Sequence, residues 1–314
     1  MRDITVFSGG AHPRLAADIC SHLGTPPHPA RVTRFANDCL EVQLPANCRE
    51  RDVFIIQPIV PPVQENLVEL LLMLDAARGA SAARTTVVMP HYAYARSDKK
   101  DAPRISIGGR LVADLLVTAG ADRVLTMALH SPQVHGFFSV PVDHLHALRE
   151  LAAYFRRYDL SGTVVVSPDL GYAKQAAAFA RLLGVDVAMG AKQRLSDDRV
   201  VIGSVIGDVA GRDVIVVDDE IARGTTVLEL LDRLRELGAG SVRVACTHGL
   251  FAAGAVERIG GRPEVEEIVC TDTVPLPEAG PGSGLHVLSV APAFAEAMRR
   301  IHDGESVSAL FDAP

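Results

Sequence analysis

Cysteine is scarce in this 314-residue chain, and its placement excludes more than its number does. The five cysteines, Cys20, Cys39, Cys48, Cys246 and Cys270, are odd in number and scattered, with no Cys-x-x-Cys pair to chelate zinc. A reduced, cytoplasmic protein is the expectation. No apolar run reaches the length of a membrane span, and residues 1–7 lack the long apolar stretch of a signal peptide, so neither insertion nor export by that route is expected. Positive charge is in deficit: 31 Lys and Arg face 38 Asp and Glu, a formal net charge of −7. That balance argues against nucleic acid or an anionic membrane surface as the main partner, so any anion site must be a local basic cluster. Low-complexity tracts are absent, and only residues 275–284 are conspicuously rich in Pro and Gly.

What is present is an ordinary globular composition, 48% hydrophobic and 22% charged, long enough for two domains with sizeable cores. Short β-branched runs at 53–57, 85–89, 124–129, 163–167, 213–219, 242–246 and 268–271 read as strands. Helical patterns at 65–77, 108–118, 171–183 and 225–237, and another after Phe251, separate them. This alternation predicts an α/β fold of mostly parallel sheets flanked by helices, with ligands gathering at the carboxyl ends of strands. The pattern runs through residues 1–147 and recurs through 148–283, which predicts two domains of similar size followed by a tail, 284–314.

The richest segment is 213–226. Val214, Ile215, Val216 and Val217 form a β-branched run that ends in Asp218 and Asp219, and Ala222, Arg223, Gly224, Thr225 and Thr226 lead into a helical pattern of Val227, Leu230, Leu231 and Leu234. A turn of this kind gathers backbone N–H groups at a helix N-terminus and adds two hydroxyls, which suits a phosphate monoester. The two carboxylates beside it suit the hydroxyls of a sugar. A DD pair alone is more often solvated, but its place directly before Gly-Thr-Thr on a strand-to-helix turn favours a ligand.

Three further strand ends carry polar residues. Arg96, Ser97, Asp98, Lys99, Lys100 and Arg104 follow the strand at 85–89, a cationic run that composition alone would leave as a solvated loop and that its position shifts toward polyphosphate. His130 and Asp169 each follow a strand; singly they read as structural, and although two such groups at equivalent places in two half-domains could share one Mg²⁺ carried by a nucleotide, spacing alone does not establish it. Lys192 and Arg194 open a polar stretch, 192–199, read as a loop; taken alone they are better read as two surface cations, and only beside the other motifs as a loop able to close over a reacting phosphate.

Taken in order, these segments closely resemble ribose-phosphate pyrophosphokinase, the phosphoribosyl pyrophosphate synthetase family. The likeness is carried by Thr33-Arg34-Phe35, Pro90-His91-Tyr92-Ala93-Tyr94-Ala95-Arg96, Leu129-His130-Ser131-Pro132, Ser167-Pro168-Asp169 and Ser306-Val307-Ser308-Ala309-Leu310-Phe311, spread over nearly the whole chain. It implies two phosphoribosyltransferase-like domains with the tail returning to the first, and transfer of the pyrophosphoryl group of Mg-ATP to the anomeric hydroxyl of ribose 5-phosphate. The resemblance further implies a homo-oligomer, dimer or hexamer, feeding nucleotide biosynthesis. By resemblance Lys192 and Arg194 are catalytic; Phe35, Asn37, Arg96, Ser97, Asp98 and His130 bind ATP; His130 and Asp169 hold Mg²⁺. Asp218 and Asp219, with the loop Ala222, Arg223, Gly224, Thr225 and Thr226, bind ribose 5-phosphate.

This chain departs from the family pattern at several places. The phosphate loop differs from the common Asp-Thr-(Ala/Gly)-Gly-Thr, and residues 35–41 replace Phe-Ser-Asp-Gly-Glu with one residue added. Ala128 stands where the family has an acid, and Tyr172 where it has glycine. Alternatives are a related pyrophosphokinase or phosphoribosyltransferase acting on another sugar phosphate, and a non-catalytic regulatory homologue. Retention of His130, Asp169, Lys192 and Arg194 counts against a silent copy, and the Arg96 segment is one a simple transferase does not need.

Overall fold

The computed structural model describes residues 3–194, 200–276 and 284–311, which divide into two compact units. The first comprises the described residues of 3–146, 273–275 and 289–311, the second those of 147–272 and 276–288.

In the first unit, strands β1 (Ile4–Ser8), β2 (Pro27–Pro29), β5 (Asp52–Ile56), β6 (Arg84–Met89), β7 (Arg123–Met127) and β8 (Val142–Leu145) form one sheet in the order β2-β1-β5-β6-β7-β8, parallel throughout. Between β2 and β5 a separate antiparallel hairpin pairs β3 (Arg31–Arg34) with β4 (Leu40–Gln43). The central strands β1, β5, β6 and β7 are buried on both faces, which is why β5 and the later parts of β6 and β7 read as apolar runs rather than alternating ones. Val53, Ile55, Val87, Met89 and Val124 point to one face, where Leu67, Leu70 and Leu74 of α2 (Val63–Gly79) and Val112 and Leu116 of α3 (Gly108–Ala119) cover them. Helix α1 (Pro13–Leu23) lies after β1, opened by His12, whose Nδ1 accepts from the Leu15 N–H at 3.4 Å.

The second unit begins with α4 (Leu148–Phe155). Its sheet is built from β9 (Val164–Ser167), β10 (Asp186–Arg194), β11 (Val200–Ile206), β12 (Val214–Ile221), β13 (Val242–Gly249), β14 (Val265–Thr271) and β15 (Leu285–Leu288), ordered β11-β10-β9-β12-β13-β14-β15. Only β10 and β11 run antiparallel. The period of two decides which helix each residue of β12 meets. Val214 and Val216 pack with Val227, Leu230, Leu231 and Leu234 of α6 (Thr225–Glu236) and with Val256 and Ile259 of α7 (Ala255–Gly260). Ile215 and Val217 pack on the other side with Leu151 and Phe155 of α4 and Phe179 of α5 (Ala173–Leu183). Each such buried aliphatic contributes about 1.5–3 kcal/mol relative to exposure, so β12 is anchored on both faces up to the residue before Asp218.

Helices α8 (Ala291–Asp303) and α9 (Ser308–Phe311) belong to the first unit, where α8 packs on α1. Asp52, at the start of β5 and only 3% exposed, is held from two sides: Arg84 clasps both its carboxylate oxygens, and His302 of α8 lies 2.8 Å from Oδ2.

Two elements differ from the sequence reading. Residues 192–194, expected on a loop, continue β10, which pairs them with Ile202, Val201 and Val200 after a bulge between Ala191 and Lys192. The strand expected at 124–129 stops at Met127, because Ala128 takes φ 46°, a left-handed backbone that breaks the ladder. No described helix is long and apolar enough to cross a membrane.

Candidate active site

In the second unit, the carboxyl ends of the neighbouring strands β9 and β12 bring together Asp169, Asp218, Asp219 and the turn 222–226. β12 runs on through Ile221, so both aspartates lie within a strand rather than on a loop, with Asp218 registered against Cys246 of β13. Asp219 is 4% exposed and Asp218 half-buried; the Asp219 N–H donates to Asp218 Oδ1 at 2.9 Å. Burial, then the neighbouring charge of Asp219 and that of Asp169, push the Asp218 carboxyl well above the usual carboxylate range. Asp169 closes its own turn, its Oδ1 accepting from the N–H groups of Gly171 at 2.9 Å and Tyr172 at 3.2 Å. The Tyr172 phenol shares this environment; burial first, then the fields of Asp219 and Asp218, keep it protonated far above its ordinary value.

The turn is built for close approach. Gly224 caps α6 with φ 71° and no capping side chain, and a Cβ there would meet Ile259 Cδ1 at 2.9 Å, so only glycine fits. Thr225 and Thr226 begin the helix, where N–H groups lack intrahelical partners and the dipole favours an anion.

In the first unit, Arg96 to Asp98 follow β6 and His130 follows β7, again neighbouring strands and again carboxyl ends. Arg96 ends a 3-10 turn, exposed to solvent. The Ser97 hydroxyl accepts from the Gly108 N–H at 2.8 Å and its carbonyl from Gly109 at 2.9 Å, so this residue also starts α3. His130 is exposed beyond a constrained approach: the Ala128 N–H donates to the Leu145 carbonyl at 2.9 Å, and the Leu129 N–H to His144 Nε2 at 2.8 Å, which puts any neutral-ring proton of His144 on Nδ1. Phe35 and Asn37 sit at the tip of the β3–β4 hairpin, apart from that sheet. Phe35 is 48% exposed; Asn37 Oδ1 accepts from the Cys39 N–H at 3.3 Å, and Arg34 braces the tip by pairing with Asp38 at 2.5 Å and with Glu65.

Lys192 and Arg194 have described backbone but undescribed side chains, and the rest of the stretch, 195–199, lies outside the described residues. Sequence reasoning passed over Arg258 and residues 251–254, which brace the turn at 222–224; nothing local marks them, because their partners lie about thirty residues away.

Two strand-end sites, one acidic with a glycine-threonine turn, on doubly covered parallel sheets define the class: an α/β protein of two phosphoribosyltransferase-like domains. Comparison with known proteins narrows it. A model of the N-terminal domain of ribose phosphate pyrophosphokinase matches residues 4–120, and one of the phosphoribosyl synthetase-associated domain matches 195–312. A Streptomyces coelicolor protein, provisionally named a ribose-phosphate pyrophosphokinase, is 76% identical over 313 residues, covering 100% of this chain and 99% of its own. The ribose-phosphate pyrophosphokinase of Deinococcus radiodurans is 50% identical, with 98% of each chain covered. The crystal structure of phosphoribosylpyrophosphate synthetase from Mycobacterium smegmatis superposes with a TM-score of 0.89 at 37% identity, over 96% of this chain and 100% of that one. The chain belongs to the ribose-phosphate pyrophosphokinase family.

Proposed function

We propose that this protein transfers the pyrophosphoryl group of Mg-ATP to the anomeric hydroxyl of ribose 5-phosphate, giving 5-phosphoribosyl 1-pyrophosphate and AMP. The observation that carries this reading is the full-length identity with ribose-phosphate pyrophosphokinases, unbroken across both units. The geometry of the second unit supports it: a carboxylate pair suited to two sugar hydroxyls stands directly before a turn suited to a phosphate.

On this reading Asp218 and Asp219 accept hydrogen bonds from the ribose hydroxyls, and the N–H groups and hydroxyls at 222–226 hold the 5-phosphate. Arg96, Ser97, Asp98 and His130, with Phe35 and Asn37, serve ATP. The sugar hydroxyl attacks the β-phosphorus in line while AMP departs, and Lys192 and Arg194 stabilise the charge that develops on the transferred oxygens.

Among the described residues no group of three or more His, Cys, Asp or Glu side chains could cage a metal ion. Mg²⁺ keeps waters and phosphate oxygens and takes few protein ligands, so a single donor in each unit, the His130 imidazole in the first and the Asp169 carboxylate in the second, suits an ion that arrives with ATP. Mg²⁺ held by such a donor would neutralise phosphate charge. A cytoplasmic homo-oligomer feeding nucleotide biosynthesis completes the proposal.

The test is to incubate the purified protein with ribose 5-phosphate, Mg²⁺ and each of ATP, dATP, GTP and CTP, and to follow nucleoside monophosphate release by chromatography. AMP release that requires ribose 5-phosphate and disappears in Lys192→Ala is expected. Folded protein that releases no monophosphate from any nucleotide overturns the reading.

A further inference from the structure

Three consecutive carbonyls at the end of β12 are held from one neighbouring segment. The Ile221 carbonyl accepts from the Phe251 N–H at 3.0 Å, and the Ala222 carbonyl from the Ala252 N–H at 2.9 Å. The backbone then turns away toward α6, and the next carbonyl, that of Arg223, is taken by a side chain instead: the Arg258 guanidinium of α7 donates Nη2 to it. The holding segment is itself shaped for the purpose. Phe251 and Ala253 both adopt left-handed backbone, φ 43° and 56°, costly for residues with side chains, and Gly254 follows at φ 67°.

A planar trans peptide points its N–H opposite to its carbonyl. Fixing the Arg223 carbonyl toward Arg258 therefore aims the Gly224 N–H the opposite way, and no acceptor among the described residues takes that N–H. Arg258 also lies exposed, so it brings a positive charge to the back of a turn in an acidic protein. Ile259, the next residue, supplies the wall on which Gly224 rests, so α7 sets both the direction and the depth of the turn.

We propose that Arg258 is a positioning residue for the phosphate turn: it orients the 223–224 peptide so that the N–H faces the 5-phosphate of the sugar substrate. The proposal rests on the assignment of residues 222–226 to that phosphate. Two measurements on Arg258→Ala, Arg258→Gln and Arg258→Lys test it. The first is amide hydrogen exchange across 219–228 in protein without substrate. Arg258→Ala speeds exchange of the turn while Arg258→Gln, which retains a donor, slows it back toward wild type. The second is steady-state kinetics. Arg258→Ala raises KM for ribose 5-phosphate about tenfold, the loss expected for one charge-assisted hydrogen bond, with kcat and KM for ATP close to wild type, and Arg258→Lys recovers part of the loss. Unchanged exchange and unchanged KM in an Arg258→Ala protein of wild-type melting temperature overturn the proposal while leaving the phosphate assignment standing. Wild-type protein that shows no saturable dependence on ribose 5-phosphate overturns both, whatever the exchange rates.

Discussion

The two sheets can be laid over one another strand by strand, β2-β1-β5-β6-β7-β8 against β10-β9-β12-β13-β14-β15, yet their carboxyl ends are finished in opposite ways. Ser8 and Ser167 occupy matching places, three residues beyond Thr5 and Val164, which pair with Val53 and Val214. On that register Gly10 corresponds to Asp169, and Gln57 to Asp218. In the first unit the crevice between β1 and β5 is closed by the protein's own groups: Glu69 accepts from the Gly10 N–H at 2.6 Å and Gln57 Oε1 from the Ala11 N–H at 3.0 Å. The Gln57 amide in turn donates to the Asn66 carbonyl at 3.4 Å, and Asn66 to the Val60 carbonyl at 2.7 Å. In the second unit the same crevice carries three carboxylates and a helix start with no capping side chain. One topology thus yields a self-satisfied plug in one unit and a crevice lined by carboxylates in the other. The difference lies in charge: the first crevice places neutral Gln57 where the second places Asp218, and Gly10 where the second places Asp169.

If this contrast is right, changes at the second crevice cost activity and spare stability, while changes at the first do the reverse. The largest effect is expected for Asp218→Asn. Its half-buried carboxylate stands beside like charge, and the amide oxygen of asparagine can still accept from the Asp219 N–H, so kcat/KM for ribose 5-phosphate should fall on the order of a hundredfold while the melting temperature holds or rises. Activity within twofold of wild type would remove Asp218 from the site.

Gly9→Ala probes the plug. An added Cβ would lie 2.3 Å from Gln57 Oε1 and 2.8 Å from Glu69 Oε1, so overpacking of about 1–3 kcal/mol is expected, read as a lowered urea midpoint with kcat/KM unchanged. An equal loss of activity would show that the first crevice also handles substrate.

The smallest effect is in pH dependence. Burial raises the Glu69 carboxyl above its ordinary 4.5, opposed by the Gly10 N–H and the Gln57 amide. From the ordinary value up to that raised one, the folded protein keeps a proton that the unfolded chain gives up, so stability declines as pH rises through that window. Chemical denaturation at a series of pH values should show the decline in wild type and its flattening in Glu69→Gln. A slope unaltered by the substitution would place the charge burial elsewhere.

Most of this architecture was legible in the residues. The β-branched runs at 53–57, 85–89 and 213–219 became β5, β6 and β12 because strands covered on both faces need apolar side chains in succession. The helix starting at Thr225 was readable from Gly224 and the spacing of Val227, Leu230, Leu231 and Leu234. Short or mixed elements were not: β3 and β4 bury little, β15 has two exposed positions in four, and β1 and α1 lie before the first clear run. The continuation of β10 to Arg194 was hidden because Lys192, Gln193 and Arg194 are polar, and backbone pairing with β11 holds them in line.

By itself the sequence determined the alternation of strand and helix, the two-domain pattern, and the segment in which two carboxylates meet a glycine-threonine turn, since these are matters of period and adjacency along the chain. Only the tertiary structure decided that Glu69 reaches Gly10 across 59 residues, that Arg258 holds the Arg223 carbonyl across 35, and that Tyr172 shares the field of Asp218. The physical reason is that hydrophobic periodicity selects which face of an element is buried. Which distant polar group then meets a strand end depends on the order in which the sheet assembles, a property carried by the packing of all its strands together.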